Sequence, residues 1–187
     1  MSASVTKYNP HDAAYAQIRT WLLTGELYLR LGQVDAAEMC CTEARQVFPL
    51  SYLILYLRGA IHQSREEWEE AKTCLQNSLS IYPRHLASLQ SLGLLHLKLG
   101  SPRLGELALR AAIRFEFISM NSCPGLGTEK NILRLEPTDH VSWYNLGLVM
   151  ESMEGESETA ANCFATAQAM ESTAPILPFS TIPLAFE

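Results

Sequence analysis

The chain has 187 residues, 48% of them hydrophobic and 18% charged, with a formal net charge of −6. That length bounds it to one domain or a short array of repeats, and the apolar fraction is enough for a core. The acidic balance argues against nucleic acid, which needs a basic face to displace counterions from phosphates, and against direct docking on an anionic membrane.

The opening "MSASVTKYNPHD" has no apolar h-region, so no secretory signal is read there. Residues 1–17 are assigned as an amino-terminal capping or flexible segment, with the cap itself around Ala13–Thr20. The first helical pair follows in "WLLTGELYLRLGQVDAAEMCCTEARQVFP", where Trp21, Gly25, Tyr28, Gly32, Ala37, Ala44 and Pro49 fall at the intervals of a 34-residue tetratricopeptide repeat. Thr24 stands where that pattern has Leu, and Cys41 where it has Phe.

Advancing the frame by one period gives a second copy with Leu55, Gly59, His62, Ala71, Leu75, Ser78 and Pro83. A third follows with Leu89, Leu92, Gly93, His96, Gly100, Gly105, Leu109 and Ala112. Each position has a physical purpose. A small residue at position 8 lets the first helix of the pair (helix A) approach the second (helix B), and one at position 20 does the same from helix B. Large residues at positions 4, 7, 11 and 24 fill the space between layers. Proline at position 32 ends helix B because it lacks the amide donor. Gly32 and Gly100 stand where the turn within a pair requires positive φ.

The third copy has no closing proline where the frame places one. It comes at Pro137, 20 residues late, and removing Phe115–Arg134 restores the period without remainder. The glycine-rich "CPGLG" therefore lies inside an insertion. It is not a phosphate cradle, because "GLGTEKN" lacks GxxxxGK[ST] spacing and no strand precedes it. A surface loop costs little chain entropy at such a site. "RFEFISM" is placed to prolong helix B before Pro124 and Gly125 break it. The fourth copy opens with Trp143, Leu146, Gly147 and Met150, and one extra turn residue moves its tail to Ala160, Phe164 and Ala167.

The fold expected is all-α, a right-handed superhelix of about four tetratricopeptide hairpins. Repeats one to three span 18–114, the inserted loop 115–134 and repeat four 135–171. Residues 172–187, "STAPILPFSTIPLAFE", are too proline-rich for a helix and too apolar for a solvated tail. They are expected to pack as an extended strap through Ile176, Phe179, Ile182 and Phe186, on the last repeat or on a partner.

Little in the chain points to catalysis. No HExxH, GxSxG or paired-carboxylate motif occurs, and His62 and His96 share the tyrosine position of the repeat. "REEWEEAK" reads as a solvated helix start, with a patch for a basic partner as the alternative. The five cysteines lack CxxC spacing and read as small apolar side chains in a reducing compartment. No catalytic, metal or cofactor-binding residue is assigned. "LASLQSLGLLHLKLG" is too short and polar to span a bilayer, so the chain is expected to be soluble and cytoplasmic.

Tetratricopeptide arrays bind along a concave face built by positions 2, 5, 9 and 12 of helix A. Here the groove set comprises Leu22, Glu26 and Leu29, then Leu53, Tyr56 and Ala60, then Gln90, Leu94 and Leu97, then Tyr144 and Leu148. A chaperone-type carboxylate clamp needs Lys and Asn at positions 5 and 9, and neither occurs there. An apolar, aromatic groove suits an amphipathic helix or an extended hydrophobic segment. Packing on further helices or on the chain's own tail is the competing reading.

The stretches "VFPLSYLILYLRG" and "PFSTIP", with "HLASLQSLGLLHLKLG" and "VSWYNLGLVME", resemble the carboxyl-terminal repeats of the tetratricopeptide repeat protein seven family from about Trp21 onward. The resemblance implies a scaffold of the plasma-membrane phosphatidylinositol 4-kinase complex, with the lipid kinase, a hyccin-type protein and a palmitoylated membrane anchor protein as partners. It implies recruitment to the plasma membrane as part of that complex. The chain lacks the family's long amino-terminal helical portion and carries the 115–134 insertion, as a short isoform or a fragment would. Alternatives are a generic adaptor for an apolar helix or peptide and a calmodulin-linked regulator, although no basic amphipathic helix is evident for the latter.

Overall fold

A computed structural model of the chain describes the backbone of residues 10–121 and 140–173, and the side chains of 16–115 and 140–172. The described residues form eight helices and no strand. They divide into two compact units, Met1–Pro83 and Arg84–Glu187. The first holds α1 (Pro10–Arg30), α2 (Val34–Val47), α3 (Tyr52–Ser64) and α4 (Trp68–Ile81). The second holds α5 (Leu86–Lys98), α6 (Pro102–Asn121), α7 (His140–Glu151) and α8 (Ser157–Thr173).

Each unit is two antiparallel hairpins of tetratricopeptide type, α1–α2 with α3–α4 and α5–α6 with α7–α8. Within a unit helix A lies beside helix A, α1 by α3 and α5 by α7. The boundary expected at residue 17 falls inside one continuous helix, since α1 already begins at Pro10. The tail residues Ile176, Phe179, Ile182 and Phe186, and most of the insertion, lie outside the described residues. The helix before the insertion is prolonged as its sequence suggests. With no proline to stop it, α6 runs on to Asn121, and the Arg84 guanidinium sits 5.8 Å from the Phe115 ring centre.

Three of the four turns close alike. Gln33 N–H donates to the Tyr28 carbonyl at 2.8 Å and Gly32 N–H to Leu29 at 3.0 Å. The same pair of bonds recurs from Glu67 and Glu66 to His62 and Gln63, and from Ser101 and Gly100 to His96 and Leu97. This is the Schellman closure, which puts one residue in the left-handed region. Gly32 and Gly100 adopt it at φ 72° and 71°, but in the second hairpin Glu66 does, at φ 61°. The fourth turn, of five residues against three in each of the others, places Gly155 at φ 86° instead.

The small positions work by contact. A Cβ on Gly93 would stand 2.6 Å from the Leu109 Cγ, and one on Gly147 would stand 2.5 Å from the Phe164 ring. A Cβ on Gly59 would meet Leu75 at 3.0 Å, and one on Gly105 would meet the Gly93 carbonyl oxygen at 2.7 Å. Helix A and helix B therefore touch through a glycine against the large residue at position 24. The first hairpin departs from this. With only Cys41 at position 24, the space over Gly25 is filled from the next hairpin by Leu57, whose methyl would be 2.8 Å from a Cβ there. Position 27 is buried in every copy, as Ala44, Ser78, Ala112 and Ala167. Ser78 is tolerated because its hydroxyl donates to the Tyr52 carbonyl at 2.8 Å.

Candidate protein-binding surface

Leu29 and Leu53 lie partly buried on the first core, which joins Ile18, Leu22, Ala37, Cys41, Ala44, Ile54, Leu57 and Ile61. Glu26, Tyr56 and Ala60 are half-buried on the same helix-A faces of α1 and α3. Leu22 is different. At 5% exposure it belongs to the core itself and cannot touch a ligand. Positions 4 and 5 straddle the edge of the buried stripe, and an all-apolar leucine turns inward there. Burial lifts the Glu26 carboxyl above its ordinary pKa, and nearby Arg30 opposes the rise. This is a carboxylate in mostly apolar surroundings.

The second unit carries a corresponding face on α5 and α7. Gln90 donates from Nε2 to the Ser142 Oγ at 3.0 Å, tying the two helices together. Leu94 and Leu148 are half-buried, and Leu97 rests on the second core of Leu109, Leu146, Val149, Met150, Ala160 and Cys163. The Tyr144 ring packs at 5.6 Å and a 54° tilt on Phe164, which itself covers Gly147. Each unit thus presents Leu and Tyr side chains along its helix-A faces, with Leu29, Leu53 and Leu97 resting on the cores and Tyr144 on Phe164.

One apolar feature was not anticipated. An open depression of about 320 Å³ lies at the turn between the first two hairpins, lined by Ile18, Phe48, Pro49, Leu50 and Ser51. Leu50 is 83% exposed there. The available signal was a pair of large apolar residues flanking Pro49 in a turn that should be polar.

The described residues show little that suits chemistry. They contain no cluster of three His, Cys, Asp or Glu fit for a metal. Cys40, Cys41, Cys74 and Cys163 are free thiols whose pKa values burial raises, which makes them poorer nucleophiles. His85 is pushed down to about 4 by burial, with Nδ1 2.7 Å from the Ser88 hydroxyl. No described helix is long and apolar enough to cross a membrane.

Comparison with known proteins agrees with this architecture. No family model matches the chain. Solved structures resemble it in fold, including MamA, at TM-score 0.57 and 18% identity over 83% of this chain and 79% of that one. An O-GlcNAc transferase mutant of Thermobaculum terrenum reaches TM-score 0.64 at 19% identity, over 99% of this chain and 30% of its own. Among curated proteins, human tetratricopeptide repeat protein 7A is 31% identical and human 7B 32% identical, each over 98% of this chain and 19% of its own length. Protein NPGR2 of Arabidopsis thaliana is 28% identical over 87% of this chain and 20% of its own. The chain thus spans about a fifth of the curated relatives it matches. The resemblance to the tetratricopeptide repeat protein seven family is met by these relatives along nearly all of this chain.

Proposed function

We propose that the chain is a non-enzymatic protein-interaction scaffold that holds an apolar helix or extended segment on its helix-A faces. The observation that carries this is the partly exposed side chains on each unit by itself, Leu29, Leu53 and Tyr56 in the first and Leu94, Tyr144 and Leu148 in the second. Aromatic anchors of this kind carry much of an interface's affinity. The family resemblance read in the sequence implies a hyccin-type protein as the partner. The wider role is the partner-binding end of a scaffold that brings phosphatidylinositol 4-kinase and its membrane anchor protein together at the plasma membrane.

A co-expression pull-down with a hyccin-type protein tests this, using the intact chain and the double variant Tyr56→Ala/Leu94→Glu. Capture by the intact chain, lost by at least about tenfold in a variant of unchanged helicity, is the expected result. Equal capture by both would move the contact off the helix-A faces. No capture by either, with binding of a generic amphipathic helix retained, would leave an adaptor of broader choice.

A further inference from the structure

In every copy helix B keeps one stripe in solvent. Positions 18, 22, 25 and 29 form it, spaced so that they stack along one side of the helix, and all are exposed in all four copies. The first copy has Asp35, Met39, Thr42 and Gln46 there, and the second Glu69, Thr73, Gln76 and Ser80. The fourth has Glu158, Asn162, Ala165 and Ala169. The third reads Arg103, Leu107, Arg110 and Arg114, with Leu104 beside the row.

This row is basic and apolar where its three counterparts are neutral or acidic. Leu104 and Leu107 are 51% and 64% exposed. Arg110 donates from Nε to Glu106 at 2.7 Å and still leaves its side chain 58% exposed. Arg103 and Arg114 have no carboxylate partner among the described residues. Next to Arg114, the Phe115 ring carries the Arg84 guanidinium. The contrast extends to net charge. Residues 84–115 hold five Lys or Arg against one Glu, a net of +4, while 140–173 hold five Glu and no Lys or Arg, a net of −5. An acidic chain has gathered arginine onto one helix.

We infer that the Arg103–Leu107–Arg110–Arg114 face of α6 docks an acidic amphipathic helix of a partner protein. Guanidinium groups grip carboxylates with two parallel hydrogen bonds, and the row's length of about 17 Å matches three turns of a second helix. Exposed ion pairs are individually weak, so the two leucines supply apolar burial between the charges. An anionic bilayer fits less well. A flat charged surface meets the field of the whole unit, whose 140–173 half stands at −5, whereas a helix meets the row alone. The site is separate from the helix-A faces assigned above to an apolar segment, and its test does not depend on that assignment.

The probe is a synthetic alanine-rich helix with Glu, Leu, Glu and Glu at the spacing of the row, titrated against the full chain at low salt by fluorescence anisotropy. Saturable binding is expected, weakened at least about tenfold by raising NaCl to about 0.5 M. A peptide of the same composition in shuffled order should bind at least about tenfold more weakly. The variant Arg103→Glu/Leu107→Thr/Arg110→Gln/Arg114→Ser gives the third copy the row of the second, which this fold already accepts. It should lose the peptide by at least about tenfold at unchanged helicity. No peptide binding by the parent chain overturns the proposal, as does equal binding by the variant or of the shuffled peptide. Phosphatidylcholine vesicles with about 30% phosphatidylserine should leave the chain in solution. Sedimentation with them that the variant abolishes would overturn the proposal in favour of an anionic membrane.

Discussion

Glu66 is the residue at which local geometry and side chain disagree. The Schellman turn demands left-handed backbone; of the three hairpins that close this way the first and third supply glycine, and the second holds a glutamate at φ 61°. A left-handed non-glycine residue costs about 1–2 kcal/mol, and glycine's extra unfolded-state entropy returns part of that. Glu66→Gly should therefore stabilise the chain by about 0.5–1 kcal/mol, measured as a higher urea midpoint at constant slope. His85 gives a pH signature. Its folded pKa of about 4 lies below the ordinary 6.5 because burial disfavours the cation. The unfolded chain then binds the extra proton, so this stabilisation is complete above pH 6.5 and lost as pH falls from 6.5 toward 4. A full shift corresponds to roughly 3 kcal/mol. His85→Asn should flatten the stability profile across that interval relative to the parent chain; parallel profiles would refute the assignment.

Within an element pair, the glycine contacts set how much a helix can change. At Gly93 an added methyl meets the branch carbon of Leu109, which is fully buried and cannot swing away. Gly93→Ala should cost about 1–3 kcal/mol through overpacking, offset by up to about 1 kcal/mol of helix propensity. A net loss is the expected outcome by chemical denaturation, and adding Leu109→Ala should make the alanine at 93 nearly neutral. These pairings were legible in the sequence because small and large residues recur every 34 positions against prolines that stop helix B. Three details were not. Leu22 reads as groove but lies in the core, since spacing alone does not say to which side a boundary residue turns. Gly25 takes its neighbour from another hairpin because Cys41 is too short to reach it. Glu66 breaks the glycine rule without any local mark.

At the scale of the molecule, the four-hairpin count follows from the repeat frame, whereas the division into two units after Pro83 does not. The frame runs through that point unbroken, and a period alone does not mark where one compact unit ends and the next begins. Two cores predict separate responses. Leu57→Ala removes a fully buried side chain from the first core and should cost about 2–5 kcal/mol. Amide exchange should quicken in α1–α4 more than in α5–α8, and Leu146→Ala should do the reverse. Uniform acceleration in both cases would mean that the chain opens as one cooperative body.

The placement of the indole rings gives that question an optical handle. Trp21 leans on the first core and Trp143 on the second, so each half of the chain holds a natural fluorophore whose emission reddens when its own core is wetted. With Trp68 and one of the pair changed to phenylalanine, the remaining ring reports on a single half during denaturation or partner titration, without any attached dye.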